Sequence, residues 1–176
     1  MQTFQKFFGI ILLSFAIFSA CQENPSDPAS ANSDQMSLSK GRIIHHVSVG
    51  GADICIDFFG THPGCDGNFS LVANEDSEGN VSGQYVDQFG HGNGGFHATV
   101  TCLSVNGNEA WVSGVITSGN LQGTDLTGFP VITKVVDNGT SGDQISFSFI
   151  GDPTSCSDQP NRPVYNLTGQ VTVRNN

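Results

Sequence analysis

Beyond residue 20, no window of useful length places apolar residues at i, i+3, i+4 and i+7, the spacing a helix needs to bury one side. The period that recurs is two. It is clearest in HATVTCLSVNGNEAWVSGVIT, residues 97–117, which reads as two strands joined by a tight turn at Asn106-Gly107-Asn108. Asn and Gly accept the positive φ that hairpin turns require, and β-branched residues fill both arms. On the second arm Ala110, Val112, Gly114 and Ile116 share one face, and Trp111, Ser113, Val115 and Thr117 the other. Cys102 sits in the middle of the first arm.

Similar segments flank this hairpin. Strands are predicted at Ile43–Val49, Asp53–Phe59, Asn68–Ala73, Asn80–Gln88, Phe129–Val136, Asp143–Ile150 and Leu167–Arg174. The alternation is cleanest in Asp143–Ile150, where Ile145, Phe147 and Phe149 alternate with Ser146 and Ser148. Short strands separated by Gly, Asn and Asp turns indicate an all-β fold. Sequential hairpins make a single antiparallel meander, and closing it removes exposed edges. We therefore expect a closed or nearly closed barrel of about eight or nine strands, with a β-sandwich as the alternative. Gly83, Gly114 and Gly169 would permit the bending that a small barrel needs.

The first forty residues read differently. Residues 1–20 carry Lys6 and an apolar core, Phe7–Phe18, too short to span a bilayer comfortably. They read as an export signal. Phe18-Ser19-Ala20-Cys21 resembles the lipobox of bacterial lipoproteins, although Phe18 stands where Leu is usual. The resemblance implies that Cys21 is lipidated and becomes the mature N-terminus, tying the protein to a membrane of the bacterial envelope, on its periplasmic or surface side. Residues 22–40, rich in Ser, Asn, Asp and Pro, lack apolar periodicity and read as a disordered tether. The folded domain is then residues 41–176.

Composition excludes one class of partner. With 6 Lys and Arg against 16 Asp and Glu, and a net charge of -10, no basic patch is available for nucleic acid.

The run Val100-Thr-Cys-Leu-Ser-Val-Asn-Gly-Asn108, followed by Ala110, Gly114 and Val135-Val-Asp-Asn-Gly139, resembles a set of small secreted bacterial domains. Those domains carry a strand-Cys-strand hairpin, a V-x-D-N-G turn and a later cysteine, and have no settled activity. The likeness covers about residues 67–173. It implies an extracytoplasmic β-domain with a Cys102–Cys156 pair and transfers no catalytic residue. With Cys21 taken by lipid, Cys55, Cys65, Cys102 and Cys156 form an even set in an exported chain, so a disulfide framework is expected. Three pairings are open. The resemblance favours Cys102–Cys156, which leaves Cys55 with Cys65. A thiolate metal site is the alternative, but the spacings do not match a zinc knuckle.

Candidates for chemistry are few. His45 and His46 are adjacent, so on a strand they face opposite sides. His91, in the glycine-rich stretch Gly90–Gly95, and His97 just beyond it are candidates for a metal or acid–base site at a barrel mouth. Exposed loop and edge histidines fit the same positions. Trp111, Tyr85 and Phe96 would give an aromatic surface for sugar or peptide, or would simply pack. Asn74–Gly79 resembles the start of a calcium loop, but its twelfth position is Tyr85 where a carboxylate is needed. No nucleophile elbow, P-loop or H-E-x-x-H helix occurs. No cofactor or resident metal is expected. The best-supported class is a non-catalytic surface domain that binds protein, glycan or another envelope component. A barrel holding a small apolar ligand comes second. A barrel-type enzyme, whether cyclase, isomerase or hydrolase, comes third.

Overall fold

The computed structural model describes residues 41–52, 67–90 and 92–176. The predicted strand Asp53–Phe59 lies outside them, as do Cys21, Cys55, Cys65 and His91. Among the described residues eleven strands form in chain order: β1 (Ile43–Ala52), β2 (Asn68–Asp76), β3 (Val81–Gln88), β4 (Gly94–Asn106), β5 (Glu109–Leu121), β6 (Thr124–Asp125), β7 (Pro130–Val136), β8 (Gln144–Ile145), β9 (Phe149–Ile150), β10 (Tyr165–Asn166) and β11 (Thr168–Asn175). Among the described residues there is no α-helix.

Nine of these strands lie side by side, all antiparallel, in the order β10-β8-β7-β5-β4-β3-β2-β1-β11, and the sheet nearly closes into a barrel. β6 and β9 are short additions on β5 and β7. The meander from β1 to β5 follows from turn chemistry. At the β2–β3 turn the Asp76 carboxylate accepts from the amides of Glu78 and Asn80, both at 2.9 Å. At the β4–β5 turn the chain reverses through Gly107 and Asn108, and the positive φ of 61° falls on Gly107, which has no Cβ to clash.

Closure is made by carboxylates. The free edge of β11 faces the β7–β8 side across a gap. Asp143 accepts from the Val171 amide at 2.6 Å and from the Asn138 amide at 2.9 Å. Asp137 accepts from the Val173 amide at 2.9 Å. One backbone bond, Leu167 N–H to Asp143 C=O at 2.9 Å, adds to them. Two acidic side chains thus satisfy strand donors that would otherwise be orphaned.

Inward residues fill the barrel. Val47 and Val49, Leu71 and Ala73, Phe96, Ala98 and Val100, Ala110, Val112 and Ile116, and Val131 and Val135 form one continuous apolar cluster. Burying an aliphatic or aromatic side chain of this kind gains about 1.5–3 kcal/mol. Tyr85 meets Phe96 edge-on with centroids 5.1 Å apart. A Cβ on Gly114 would overlap the Thr99 carbonyl, and one on Gly83 the Val72 carbonyl. The expected glycine positions are therefore places where neighbouring backbones press close.

One strand expectation needs correcting. Asp143–Ile150 is not continuous: β8 and β9 are separated by residues 146–148. Ser146 is buried and its hydroxyl accepts from the Lys134 amide at 2.8 Å while contacting the Thr133 hydroxyl at 3.1 Å. A side chain thus occupies a place that the backbone ladder would fill, and the strand breaks. The break also changes facing. Ile145 and Phe147 pack on the barrel core, whereas Phe149 packs outside it.

Candidate functional site

The outer wall of the barrel has two unlike regions. Over β4, β5 and β7, the segment 151–164 lies as a strap across outward side chains. Trp111 and Ile132 are buried beneath it against the strap's own Cys156, with Cys102 and Phe149 packed alongside. The Trp111 indole donates to the Pro160 carbonyl at 2.9 Å. Lys134 stacks over the indole at 4.9 Å and pairs with Glu109 at 2.7 Å. Arg162 lies over the Phe149 ring at 4.2 Å and pairs with Asp152. The Cys102–Cys156 disulfide, with Cα atoms 6.0 Å apart, ties strap to wall.

A bulge makes that bond possible. Val100 opposes Gly114 and Cys102 opposes Ser113, so Thr101 is an extra residue in β4. Val100 and Leu103 are buried in the core, and the insertion lets Cys102 face outward between them. Unbroken alternation from Val100 would send Cys102 inward.

Over β2, β3 and β4 the wall is bare of any other described segment. Ser70, Gln84, His97 and Thr99 are exposed, and Val72 and Val115 are 41% and 43% exposed. Two recesses open here. One, of about 370 Å³, is lined by Val86–Gly90, Gly92 and Gly94–His97. The other, of about 310 Å³, is lined by Gln84–Val86, His97–Thr99, Thr117 and Ser118. They share Val86 and His97, which pair across β3 and β4, so they run on from one another as a trough. A second bulge shapes it. His97 opposes Ser118 while Ala98 opposes Ile116, which leaves Thr117 as the insertion. Thr117 and Ser118 are both exposed beside His97, and Thr117 donates to the His97 carbonyl at 3.1 Å.

The sequence candidates do not converge. His97 is exposed on the trough. Tyr85 points into the barrel, 3% exposed, and its hydroxyl shares a hydrogen bond with Ser148, which in turn donates to Asp87. Trp111 lies under the strap on the other part of the wall. The aromatic surface suggested for Trp111, Tyr85 and Phe96 does not form, because Tyr85 and Phe96 are inside the barrel and Trp111 outside it. Gln84, Val86, Thr117 and Ser118 carry no sequence signal. Only the bulge at Thr117, invisible in a run of strand formers, gathers the two hydroxyls.

Among the described residues three carboxylates titrate below the ordinary range, each at a strand end or in a loop. Asp76 is lowered by hydrogen bonds from the Asn80 side chain and then its amide, Asp125 by those of Thr127, and Asp152 by those of Thr154 with help from Arg162. None lines the trough. Among the described residues, no group of three or more His, Cys, Asp or Glu is placed to hold a metal.

Compared with protein-family models, curated proteins and solved structures, the chain matches none.

Proposed function

We propose that this is a lipid-anchored protein of the bacterial cell envelope whose β-domain binds an envelope component through its outer surface, without catalysis. Cys21 carries the lipid, residues 22–40 are the tether, and the barrel is the binding body. The observation that carries this reading is the filled interior. Leu71, Phe96, Val112 and Val135, all 0–2% exposed, occupy the space that a small apolar ligand would need. The recesses of the bare wall face solvent instead. The polar set Tyr85–Ser148–Asp87 satisfies hydroxyl groups at the barrel wall, which the fold requires whether or not there is chemistry.

Two measurements test the reading. Cys21→Ser should move the protein from the membrane pellet to the soluble fraction and abolish incorporation of labelled fatty acid. Retention in the membrane with unchanged labelling would refute the anchor. A photo-cross-linking side chain at Thr99 on the bare wall should capture an envelope component in cells, and one at Glu78 in the β2–β3 turn should not. Equal capture from both positions would refute a bare-wall binding surface.

A further inference from the structure

We infer that the trough on the bare wall is a binding site for a neutral oligosaccharide, with His97 at its centre; this rests on the binding reading above. Gln84, Thr99, Thr117 and Ser118 bring an amide and three hydroxyls to one recess, and Gln88 adds a second amide to the other. Amides and hydroxyls both donate and accept, which is what a row of sugar hydroxyls demands. Val86 and Phe89 supply apolar surface against which the C–H face of a pyranose can lie.

Charge narrows the ligand. Among the described residues neither recess is lined by Lys or Arg, and the chain carries a net charge of -10. A phosphorylated or sulfated ligand would find no counter-charge and a repelling field. A basic peptide would be drawn by that field, yet the single carboxylate among the described lining residues, Asp87, already accepts the Ser148 hydroxyl. What remains matches an uncharged polyol. Length follows from the layout: two recesses meeting at Val86 and His97 offer adjacent subsites, so a chain of several sugars fits better than one.

The test uses the full chain in detergent, titrated with neutral hexasaccharides of glucose, N-acetylglucosamine, mannose and xylose and followed by calorimetry and backbone amide shifts. At least one should bind at millimolar concentration or below, with shifts clustered at Gln84–Gln88, His97–Thr99 and Thr117–Ser118. Because His97 and Gln84 are exposed, His97→Ala and Gln84→Ala should leave folding intact. Each should weaken binding about tenfold, the loss of roughly one good hydrogen bond. A sulfated hexasaccharide should bind more weakly than its neutral counterpart. The proposal is overturned if no neutral hexasaccharide binds, or if both variants bind as tightly as the parent. Should a basic peptide shift the same amides while the sugars do not, the ligand class is wrong and the bare-wall binding surface survives. Loss of selective capture from Thr99 would remove both.

Discussion

The strapped and bare parts of the barrel wall share one architecture and differ in what points outward. Under the strap the outward residues are Trp111, Ile132 and Cys102, and Lys134 lies over the indole. On the bare side they are Ser70, Gln84, His97 and Thr99, with single valines between. The first set cannot face water without cost, so the chain supplies its own cover and fixes it with a disulfide. The second can, and stays open. What decides whether a β-surface is available to a partner is thus the outward half of the alternation, since both regions present the same kind of inward half.

The largest expected effect comes from cutting the strap loose. Replacing Cys102 and Cys156 by Ser together frees a 54-residue separation, and chain entropy puts the cost at about 4 kcal/mol by denaturant unfolding. Amide exchange should then rise in residues 151–164 and stay unchanged in β2 and β3; equal acceleration in both would mean that the two regions are not independent. A change at the seam should behave in the opposite way. Asp143→Ala orphans the buried Val171 amide and should cost about 2 kcal/mol. Because closure supports the whole barrel, exchange should rise on both parts of the wall.

Next comes Trp111→Phe, which keeps a ring but leaves the Pro160 carbonyl without its donor, for about 1 kcal/mol. Its bare-wall counterparts, Thr99→Ala and Val115→Thr, should each stay within about 0.5 kcal/mol of the parent. A larger loss at Thr99 would show that the bare wall is also structural.

The smallest effect is acidic. Asp76, Asp125 and Asp152 have folded pKa values below their unfolded ones, so each adds stability that is present above the unfolded value and lost as pH falls through the folded value. The midpoint of denaturation should therefore drop below about pH 4, and Asp152→Asn should flatten that acid limb at the strap alone.

Much of the fold is legible in the chain. Alternation and turn residues place β1 to β5, β7 and β11 to within a few positions, and the all-β, nearly closed sheet follows from their number and spacing. The covered region also has a signal. Pro130–Val136 reads PVITKVV, and six of its seven residues are buried, as expected for a strand packed on both sides. What the chain conceals are its departures from period two. Thr101 and Thr117 are ordinary strand residues, and nothing in their type marks them as insertions. Yet one turns Cys102 toward its partner and the other sets two hydroxyls beside His97. Ser146 likewise looks like the polar half of an alternation until its hydroxyl is seen to replace a ladder bond. The trough escapes sequence reading for the same reason: its members are unremarkable singly and are gathered by register.

The first and last strands are neighbours, and the Asn176 amide donates to the Ile44 carbonyl at 2.8 Å. Gly41 and Asn176 therefore leave the domain from one pole, beside the Asp76–Asn80 turn, whereas Phe89, Gly90, Gly94 and the wider recess occupy the other. If the proposed anchor at Cys21 holds, the tether enters the body at this pole. Anything seated against Phe89 and Val86 then meets the molecule at its crown, and a reporter fused after Asn176 would ride at the foot, clear of whatever docks above.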